Sequence, residues 1–206
     1  MKQKRGIILE KRNKTITIHQ PNFFPWYPFF QKMEQADIFV VLENCQFEKN
    51  NFQNRFNMDG KWYTMSTNKH LLSIIDKKYS NCYDDWSSIK RKLPEYSEVL
   101  DSFDDLVEDS LSDANYNIIM KIKEQLNIKT EVVRDYPTSL RSTERLVDIC
   151  LRHGATKYIS GLGGRNYLNI EKFSDAGIEV VFQKEECMKK VPILKILKND
   201  NYKQGK

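Results

Sequence analysis

The sequence lacks the features of a disulfide-stabilised or metal-binding protein. It has only four cysteines in 206 residues, and they are well separated, so that no Cys-x-x-Cys pair occurs. Without such a pair and without a secretory signal, free thiols are expected in place of disulfides or a structural zinc site. The three histidines are equally scattered, and we therefore predict no metal site.

Long hydrophobic runs are also missing. The longest uncharged apolar run covers residues 38–42, far short of the ~20 residues that a transmembrane helix needs. Residues 1–14 are basic but contain no apolar core of a signal peptide. We therefore expect a cytoplasmic protein without a transmembrane segment, in which residues 1–14 form an extension, residues 15–197 a single α/β domain and residues 198–206 a disordered tail.

Charge of one sign is not concentrated anywhere. The net charge is only +5, and 33 Lys and Arg residues are interspersed with 28 Asp and Glu residues. A basic stripe that could follow a nucleic acid is therefore absent, whereas a mild positive excess suits a small anionic ligand. We predict an anionic small-molecule substrate, no nucleic-acid partner and no tightly bound cofactor. The composition leaves the oligomeric state open.

Short apolar segments alternate with helical patterns along most of the chain. The strand-like segments are residues 15–18, 38–42, 130–134, 156–160 and 178–183. This alternation predicts an α/β fold with a largely parallel sheet and helices on both faces, similar to a Rossmann fold. Within it we expect a β-hairpin insertion, because Asp59-Gly60 separates two alternating apolar runs.

Three further local structures are expected from the patterns. The middle of the chain is predicted to be helical, with helices at residues 86–93, 96–111 and 115–126. Near the N-terminus, the alternative to a simple extension is a small hairpin that residues 6–9 form with the strand that begins at Thr15. A later helix begins near residue 142, and Ser139 or Ser142 is the expected N-cap.

The loop after the first predicted strand is the strongest candidate for a functional site. It begins with His19 and contains three prolines between residues 21 and 28, which make it rigid. In open α/β sheets, the loops at the carboxyl ends of strands form the ligand crevice. We predict His19 as the catalytic residue, since a neutral imidazole can exchange a proton near pH 7, and Gln20, Asn22 and Trp26 as substrate-binding residues. The alternative is a proline-stiffened turn whose aromatic side chains fill the core.

Two other loops carry candidate binding residues. After the fourth predicted strand, backbone amides and a guanidinium could hold an anion, which predicts a site formed by Ser160, Gly163, Gly164 and Arg165. This loop is neither a GxGxxG fingerprint nor a P-loop, and a tight turn that needs glycine explains it equally well.

The polar side chains after the second predicted strand could bind the hydroxyl groups and the charge of a sugar or nucleotide. We predict this role for Gln46, Asn54 and Arg55. A solvated hairpin is an equally good interpretation. Cys45 stands beside this cluster, but we do not assign it as a nucleophile, because most cysteines are inert core residues.

As a set, motifs spread over nearly the whole chain resemble one known family. They are His19-Gln20-Pro21-Asn22 with Pro25-Trp26, Ala36-Asp37 with Phe39 and Leu42, Gln46-Phe47-Glu48-Lys49 with Gln53-Asn54-Arg55, Thr143-Glu144-Arg145-Leu146, Tyr158-Ile159-Ser160-Gly161 with Gly163-Gly164, and Gly177-Ile178 with Phe182-Gln183. Together they resemble the WbqC-like proteins, with the first fourteen residues additional to the usual start of that family.

The resemblance implies a role in the biosynthesis of bacterial O-antigen, lipopolysaccharide and other surface polysaccharides. We predict a transferase that moves an acyl or aminoacyl group from an activated acyl or nucleotide donor to a nucleotide-linked amino sugar. One alternative is a non-catalytic subunit that binds a nucleotide or a sugar. The other is a nucleotidylyltransferase, since the layout of strand, His-and-Pro loop, helix and Ala-Asp is similar to the opening of HIGH-type enzymes, although only His19 of their two histidines is present.

Overall fold

A five-stranded parallel sheet forms the centre of the structure. The structure is a computed structural model, and it describes residues 13–199. Its strands are β1 (Thr15–His19), β2 (Ile38–Val41), β3 (Arg55–Met58), β4 (Lys61–Thr64), β5 (Glu131–Arg134), β6 (Lys157–Ser160) and β7 (Glu179–Phe182). The main sheet has the order β5-β2-β1-β6-β7, and each neighbouring pair is parallel. This confirms the predicted parallel sheet.

Helices follow most of the strands and fill the middle of the chain. They are α1 (Tyr27–Glu34), α2 (Cys82–Lys92), α3 (Ser97–Asp101), α4 (Leu111–Gln125), α5 (Ser142–Arg152), α6 (Ile170–Asp175) and α7 (Ile193–Lys198). Short 3-10 turns occur at Pro94–Tyr96, Asp104–Leu106, Leu162–Asn166 and Glu185–Cys187. The helical middle region that the sequence predicts is therefore present.

The sheet separates two hydrophobic cores. Phe39 and Val41 of β2 belong to the larger core, which contains apolar side chains of α1, α2 and α4. Ile38 and Val40 of the same strand belong to the smaller core, with side chains of α5 and α6. Because successive side chains of a strand point to opposite faces, this division confirms that helices cover both faces of the sheet.

The predicted hairpin insertion is formed by β3 and β4, which pair antiparallel from Arg55↔Thr64 to Met58↔Lys61. Asp59 and Gly60 connect the strands with φ values of 51° and 84°. A type I′ turn needs positive φ at both central residues, and Asp-Gly tolerates this conformation well. The hairpin is a separate two-stranded sheet beside the main one.

The expected N-terminal hairpin is wrong. β1 pairs with β2 along Ile16–His19 and with β6 along Thr15–Thr17, so both of its edges are already occupied by parallel neighbours. Residues 6–9, the other half of the expected hairpin, lie outside the described residues. The same holds for most of the predicted extension and tail, whereas Lys198 is the last residue of α7.

The single helix expected over residues 96–111 is wrong as well. The segment contains α3 and a 3-10 turn, and the chain leaves helical geometry at Val107. Side chains of this segment form hydrogen bonds with the backbone and with other side chains. Ser102 Oγ donates to the Val99 carbonyl, and Asp104 accepts from Trp86 Nε1 at 2.7 Å. Such local hydrogen bonds offer the backbone an alternative to a continuous helix. Ser110 then caps α4 by accepting from the backbone N–H of residue 113.

Candidate functional site

A cleft of about 770 Å³ opens at the carboxyl ends of the central strands. The chain moves from β1 towards β2 and β5 on one side, while β6 and β7 lie on the other side. The loops that follow neighbouring strands therefore diverge here, and such a switch point is where open α/β sheets bind ligands. The polar lining includes His19, Gln20, Gln46, Glu48, Arg141 and Arg145.

His19 ends β1 and has a defined tautomer. Its Nδ1 lies 3.0 Å from the carbonyl oxygen of Gln20, and a carbonyl can only accept, so we assign the ring proton to Nδ1. In the neutral ring Nε2 then keeps its lone pair, and it has no hydrogen-bond partner among residues 13–199. The edge of the ring contacts Phe29, with 4.9 Å between the ring centroids, which fixes the ring plane.

A buried lysine lies beneath this histidine. Lys32 of α1 is only 1 % exposed, and its Nζ donates to the Ile18 carbonyl at 3.2 Å. Burial lowers the pKa of Lys32 to about 7. Burial, and then the charge of Lys32, lower the pKa of His19 to about 3. His19 is therefore uncharged at neutral pH.

Sequence reasoning missed Lys32, although a clue was present. On a helix, residues three and four apart share a face, so Lys32 lies beside Phe29 on the apolar side of α1. Burying a charged lysine in an apolar helical stripe costs free energy, so a lysine at such a position is a candidate for a shifted pKa.

Buried amides connect the loops that surround His19. Gln53 is fully buried, and its Nε2 donates to Gln20 Oε1 at 2.8 Å. Its Oε1 accepts from the backbone N–H of Glu48 at 2.9 Å. Gln20 in turn donates to Cys45 Sγ at 3.4 Å. This chain of hydrogen bonds fixes the loop after β1 against the loop after β2.

The thiol of Cys45 remains protonated at neutral pH. Burial raises the pKa of Cys45, and the hydrogen bond from Gln20 only partly opposes this effect. Because the thiolate is the reactive form of cysteine, the structure gives no support to a nucleophilic role for this residue.

A buried ion pair joins β2, β5 and α5. Arg145 pairs with Asp135, which follows β5, and also donates to the Asn44 carbonyl at 2.5 Å. The other carboxylate oxygen of Asp135 accepts from the backbone N–H groups of Glu43 and Asn44 at 2.9 and 3.1 Å. These contacts hold three chain segments at the same edge of the sheet. Arg145 Nε is buried and has no partner among the described residues.

The N-terminus of α5 also reaches the cleft, and its predicted cap is wrong. Neither Ser139 nor Ser142 caps it: Arg141 occupies the N-cap position, with no hydrogen bond from its side chain. Ser142 is the first helical residue and has a φ of 48°, an uncommon value for a residue other than glycine. Leu140, Arg141 and Ser142 all line the cleft.

The predicted site residues divide between the cleft and other places. His19, Gln20 and Gln46 come together in the cleft. The hairpin holds two others, since Asn54 donates to the Met65 carbonyl at 2.7 Å and Arg55 stacks on Trp62 at 4.1 Å.

Two more predicted residues lie in the loop between β1 and α1, outside the cleft lining. Asn22 is buried, and Trp26 is 40 % exposed at the N-cap position of α1. The binding roles of these two residues, and of the two hairpin residues, stay predictions.

The glycine loop after β6 is closely packed. A Cβ at Gly164 would collide with Ser160 Oγ and lie 3.0 Å from Leu168 Cδ1, so this position needs glycine for packing. Gly163 is open to solvent, and Arg165 lies over the ring of Phe182 at 5.2 Å. None of the four predicted residues of this loop is among the residues that line the cleft. Anion binding by this loop stays a prediction.

The described part of the chain offers neither a cluster of metal ligands nor a helix that could cross a membrane. Within residues 13–199, no group of three or more His, Cys, Asp or Glu side chains is placed to hold a metal ion. Over the same residues, no helix combines the length and hydrophobicity that crossing a membrane requires.

Comparison with known proteins identifies relatives but no solved structure. The WbqC-like protein family matches residues 20–190 of this chain. The chain is also similar to Rv1507c of Mycobacterium tuberculosis (strain ATCC 25618 / H37Rv), described as an uncharacterized protein. The two are 24 % identical over 194 residues, which cover 82 % of this chain and 81 % of the relative. No solved structure matches the chain.

Proposed function

The chain belongs to the WbqC-like protein family, and from this premise and the geometry of the cleft we propose that it is a transferase. It moves an acyl or aminoacyl group onto the amino group of a nucleotide-linked amino sugar, within the synthesis of a bacterial surface polysaccharide. One observation carries the proposal: His19 stands at the switch point of the sheet with Nδ1 bound to a carbonyl and Nε2 unoccupied.

The reaction needs one proton acceptor at the attacking amine. The neutral amine attacks the carbonyl carbon of an activated acyl donor such as a thioester, so that a C–N bond forms and the C–S bond breaks. His19 Nε2 takes the proton that the amine loses and passes it to the departing thiolate. The side-chain amides of Gln20 and Gln46, both in the cleft lining, supply hydrogen-bond partners for sugar hydroxyl groups.

The electrostatics of the cleft favour action on a negatively charged substrate. A pKa of about 3 keeps His19 in its proton-accepting form, but it also makes the imidazole a weak base. An anion bound nearby stabilises the imidazolium and counteracts the charge of Lys32. The pKa of His19 therefore rises when an anionic substrate binds, which brings the base closer to the pH at which it works.

The test is replacement of His19 by alanine. Acyl transfer from thioester donors to a set of nucleotide-linked amino sugars is followed by mass spectrometry of the products. We expect His19→Ala to lower kcat by about 10²- to 10⁴-fold, the usual contribution of a general base, with an unchanged circular dichroism spectrum. His70→Ala is the matched control, because that side chain is exposed in a loop outside the cleft lining. Transfer by His19→Ala at the wild-type rate would exclude the role.

A second candidate is a non-catalytic subunit that binds the same sugar nucleotide. The low pKa of His19 favours this binding role, since an imidazole that stays neutral can form hydrogen bonds with a ligand without exchanging a proton. In that case the wild type binds nucleotide-linked amino sugars, shown by a concentration-dependent rise in Tm, but transfers no group from any donor.

A further inference from the structure

Glu48 is the one acidic side chain among the described residues that line the cleft. It belongs to the loop after β2 and is exposed, and it forms no ion pair with any residue from 13 to 199. Arg145, which lines the same cleft, is held instead by Asp135 and by the Asn44 carbonyl. The negative charge of Glu48 is therefore free to pair with a ligand.

Both ends of Glu48 are held in place. Its backbone N–H donates to Oε1 of the fully buried Gln53 at 2.9 Å. One oxygen of its carboxylate, Oε2, accepts from Asn51 Nδ2 at 2.6 Å, and the Oδ1 of Asn51 accepts in turn from the backbone N–H of Phe52 at 2.7 Å. The other carboxylate oxygen, Oε1, has no partner among the described residues. Because this carboxylate is already oriented, a ligand that binds it loses less free energy to the ordering of the side chain.

An aromatic ring from a different loop lies close to this carboxylate. Tyr167 ends the loop after β6, whereas Glu48 follows β2, and these two strands flank β1 on opposite sides. Both side chains line the cleft. Loss of water around the phenol, and then the charge of Glu48, raise the pKa of Tyr167. The Tyr167 hydroxyl has no hydrogen-bond partner among the residues that the structure describes, so it too is free to contact a ligand.

A carboxylate beside a tyrosine suits a primary ammonium group. Such a group can donate to the free oxygen of Glu48 in a charge-assisted hydrogen bond. It can donate to the Tyr167 hydroxyl as well, and its charge is attracted by the π face of the ring. A hydroxyl group in the same position offers a single donor and no charge, and a phosphate or carboxylate is repelled by Glu48. This pair of side chains therefore favours amines over alcohols and anions.

Buried hydrogen bonds connect Glu48 to the catalytic end of the cleft. Gln53, which accepts from the backbone of Glu48, donates to Gln20 Oε1 at 2.8 Å. Gln20 directly follows His19, and both line the cleft together with Glu48. The position of the carboxylate is therefore fixed relative to the proton acceptor, and one ligand can contact both.

We propose that Glu48 and Tyr167 bind a primary ammonium group of the substrate. Glu48 is then a specificity-determining residue that selects amines over alcohols, while His19 remains the proton acceptor. This inference rests on the proposed function for the source of the ammonium, which is the amino sugar or the α-amino group of an aminoacyl donor. An amine of the sugar that is held in this way reacts only after it has lost its proton, because the neutral amine is the form that attacks.

The experiment uses the full chain and two pairs of probes whose members differ only by an amino or a hydroxyl group. UDP-glucosamine is compared with UDP-glucose, and alaninamide with lactamide, by NMR titration at about pH 6.5, below the pKa of about 8 of an α-amino group. In at least one pair we expect the wild type to bind the amine about 10-fold more tightly, which corresponds to about 1.4 kcal/mol. Glu48→Gln should bind both members of that pair equally. The pair that shows the preference identifies the source of the ammonium.

Glu108→Gln is the matched control. Glu108 is exposed, lies outside the cleft lining and also accepts from an asparagine, Asn117 Nδ2, at 3.3 Å. This variant should keep the preference for the amine, and Glu48→Asp, which keeps the charge, should keep part of it. Equal binding within both pairs by the wild type would overturn the inference, as would a preference that Glu48→Gln leaves unchanged.

Failure of this inference can be told apart from failure of the proposed reaction. His19→Ala should keep the preference for the amine, so the titration does not depend on turnover. A preference that Glu48→Gln abolishes, in a protein that transfers no acyl group, refutes the reaction and leaves the ammonium site. Acyl transfer by a protein that binds amines and alcohols equally refutes the site and leaves the reaction.

Discussion

Replacing Lys32 by methionine tests whether an uncompensated charge lies beneath His19. The pKa of Lys32 is lowered by burial from 10.5 to about 7, which at about 1.4 kcal/mol per pKa unit corresponds to roughly 5 kcal/mol. Between these two pH values the unfolded chain binds a proton that the native protein has lost. The free energy of unfolding of the wild type therefore increases by up to about 1.4 kcal/mol for each unit of pH between about 7 and 10.5. Below pH 7 the full cost of burying the charge is present.

Methionine keeps the length and the helix propensity of lysine but removes the charge. It also removes the hydrogen bond to the Ile18 carbonyl, a loss of about 1 kcal/mol. We expect Lys32→Met to exceed the wild type in free energy of unfolding by about 4 kcal/mol at pH 7, the difference between these two contributions. This advantage should disappear as the pH rises past 10.5, because Lys32 then becomes neutral in the unfolded chain as well as in the native protein.

The assay is urea unfolding of both proteins at pH 7, 8, 9 and 10, and the quantity compared is the difference between them. Lys123→Met in α4 is the matched control, because that side chain is only half-buried and also lies in a helix; its difference from the wild type should stay small and constant. A Lys32→Met protein that is less stable at pH 7, or a difference that does not change with pH, would refute the reasoning. The pKa of His19, followed by NMR, should also rise above 3 in Lys32→Met while burial keeps it below 6.5.

The remaining predictions concern single contacts. Ser110→Ala removes the cap of α4 and should lower the free energy of unfolding in urea by about 1 kcal/mol. Gly164→Ala places a methyl group against Ser160 and Leu168, and should lower stability by about 1–3 kcal/mol, detected as a lower Tm. Cys45 should react with iodoacetamide at pH 8 much more slowly than the exposed Cys187, as judged by mass spectrometry, because burial raises the pKa of Cys45; equal rates would contradict this.

The part of the site that sequence reasoning found is the part built from neighbouring residues. His19 and Gln20 come directly after a strand, and Asp59-Gly60 specifies a turn by its own conformational preferences. The part that it missed depends on partners far apart in the chain, since Asp135 and Asn44 are 91 residues apart. Lys32 belongs to the same group, because its lowered pKa follows from what surrounds α1 in space.

The sequence by itself determined the strands of the main sheet and most of the helices, because buried strands and amphipathic helices need apolar residues at fixed periods. It did not determine how the segment from residue 96 to residue 111 divides into shorter helical pieces. It also determined that His19 stands at the end of a strand, where the loop begins. Only the tertiary structure decided the order of the strands, and with it which loops share an edge of the sheet. That order gives β1 two parallel neighbours, which excludes the expected hairpin. It also brings the start of α5, and not the glycine loop, into the lining of the cleft with His19. Packing between segments that are distant in the sequence sets which loops lie close together, and local conformational preferences do not.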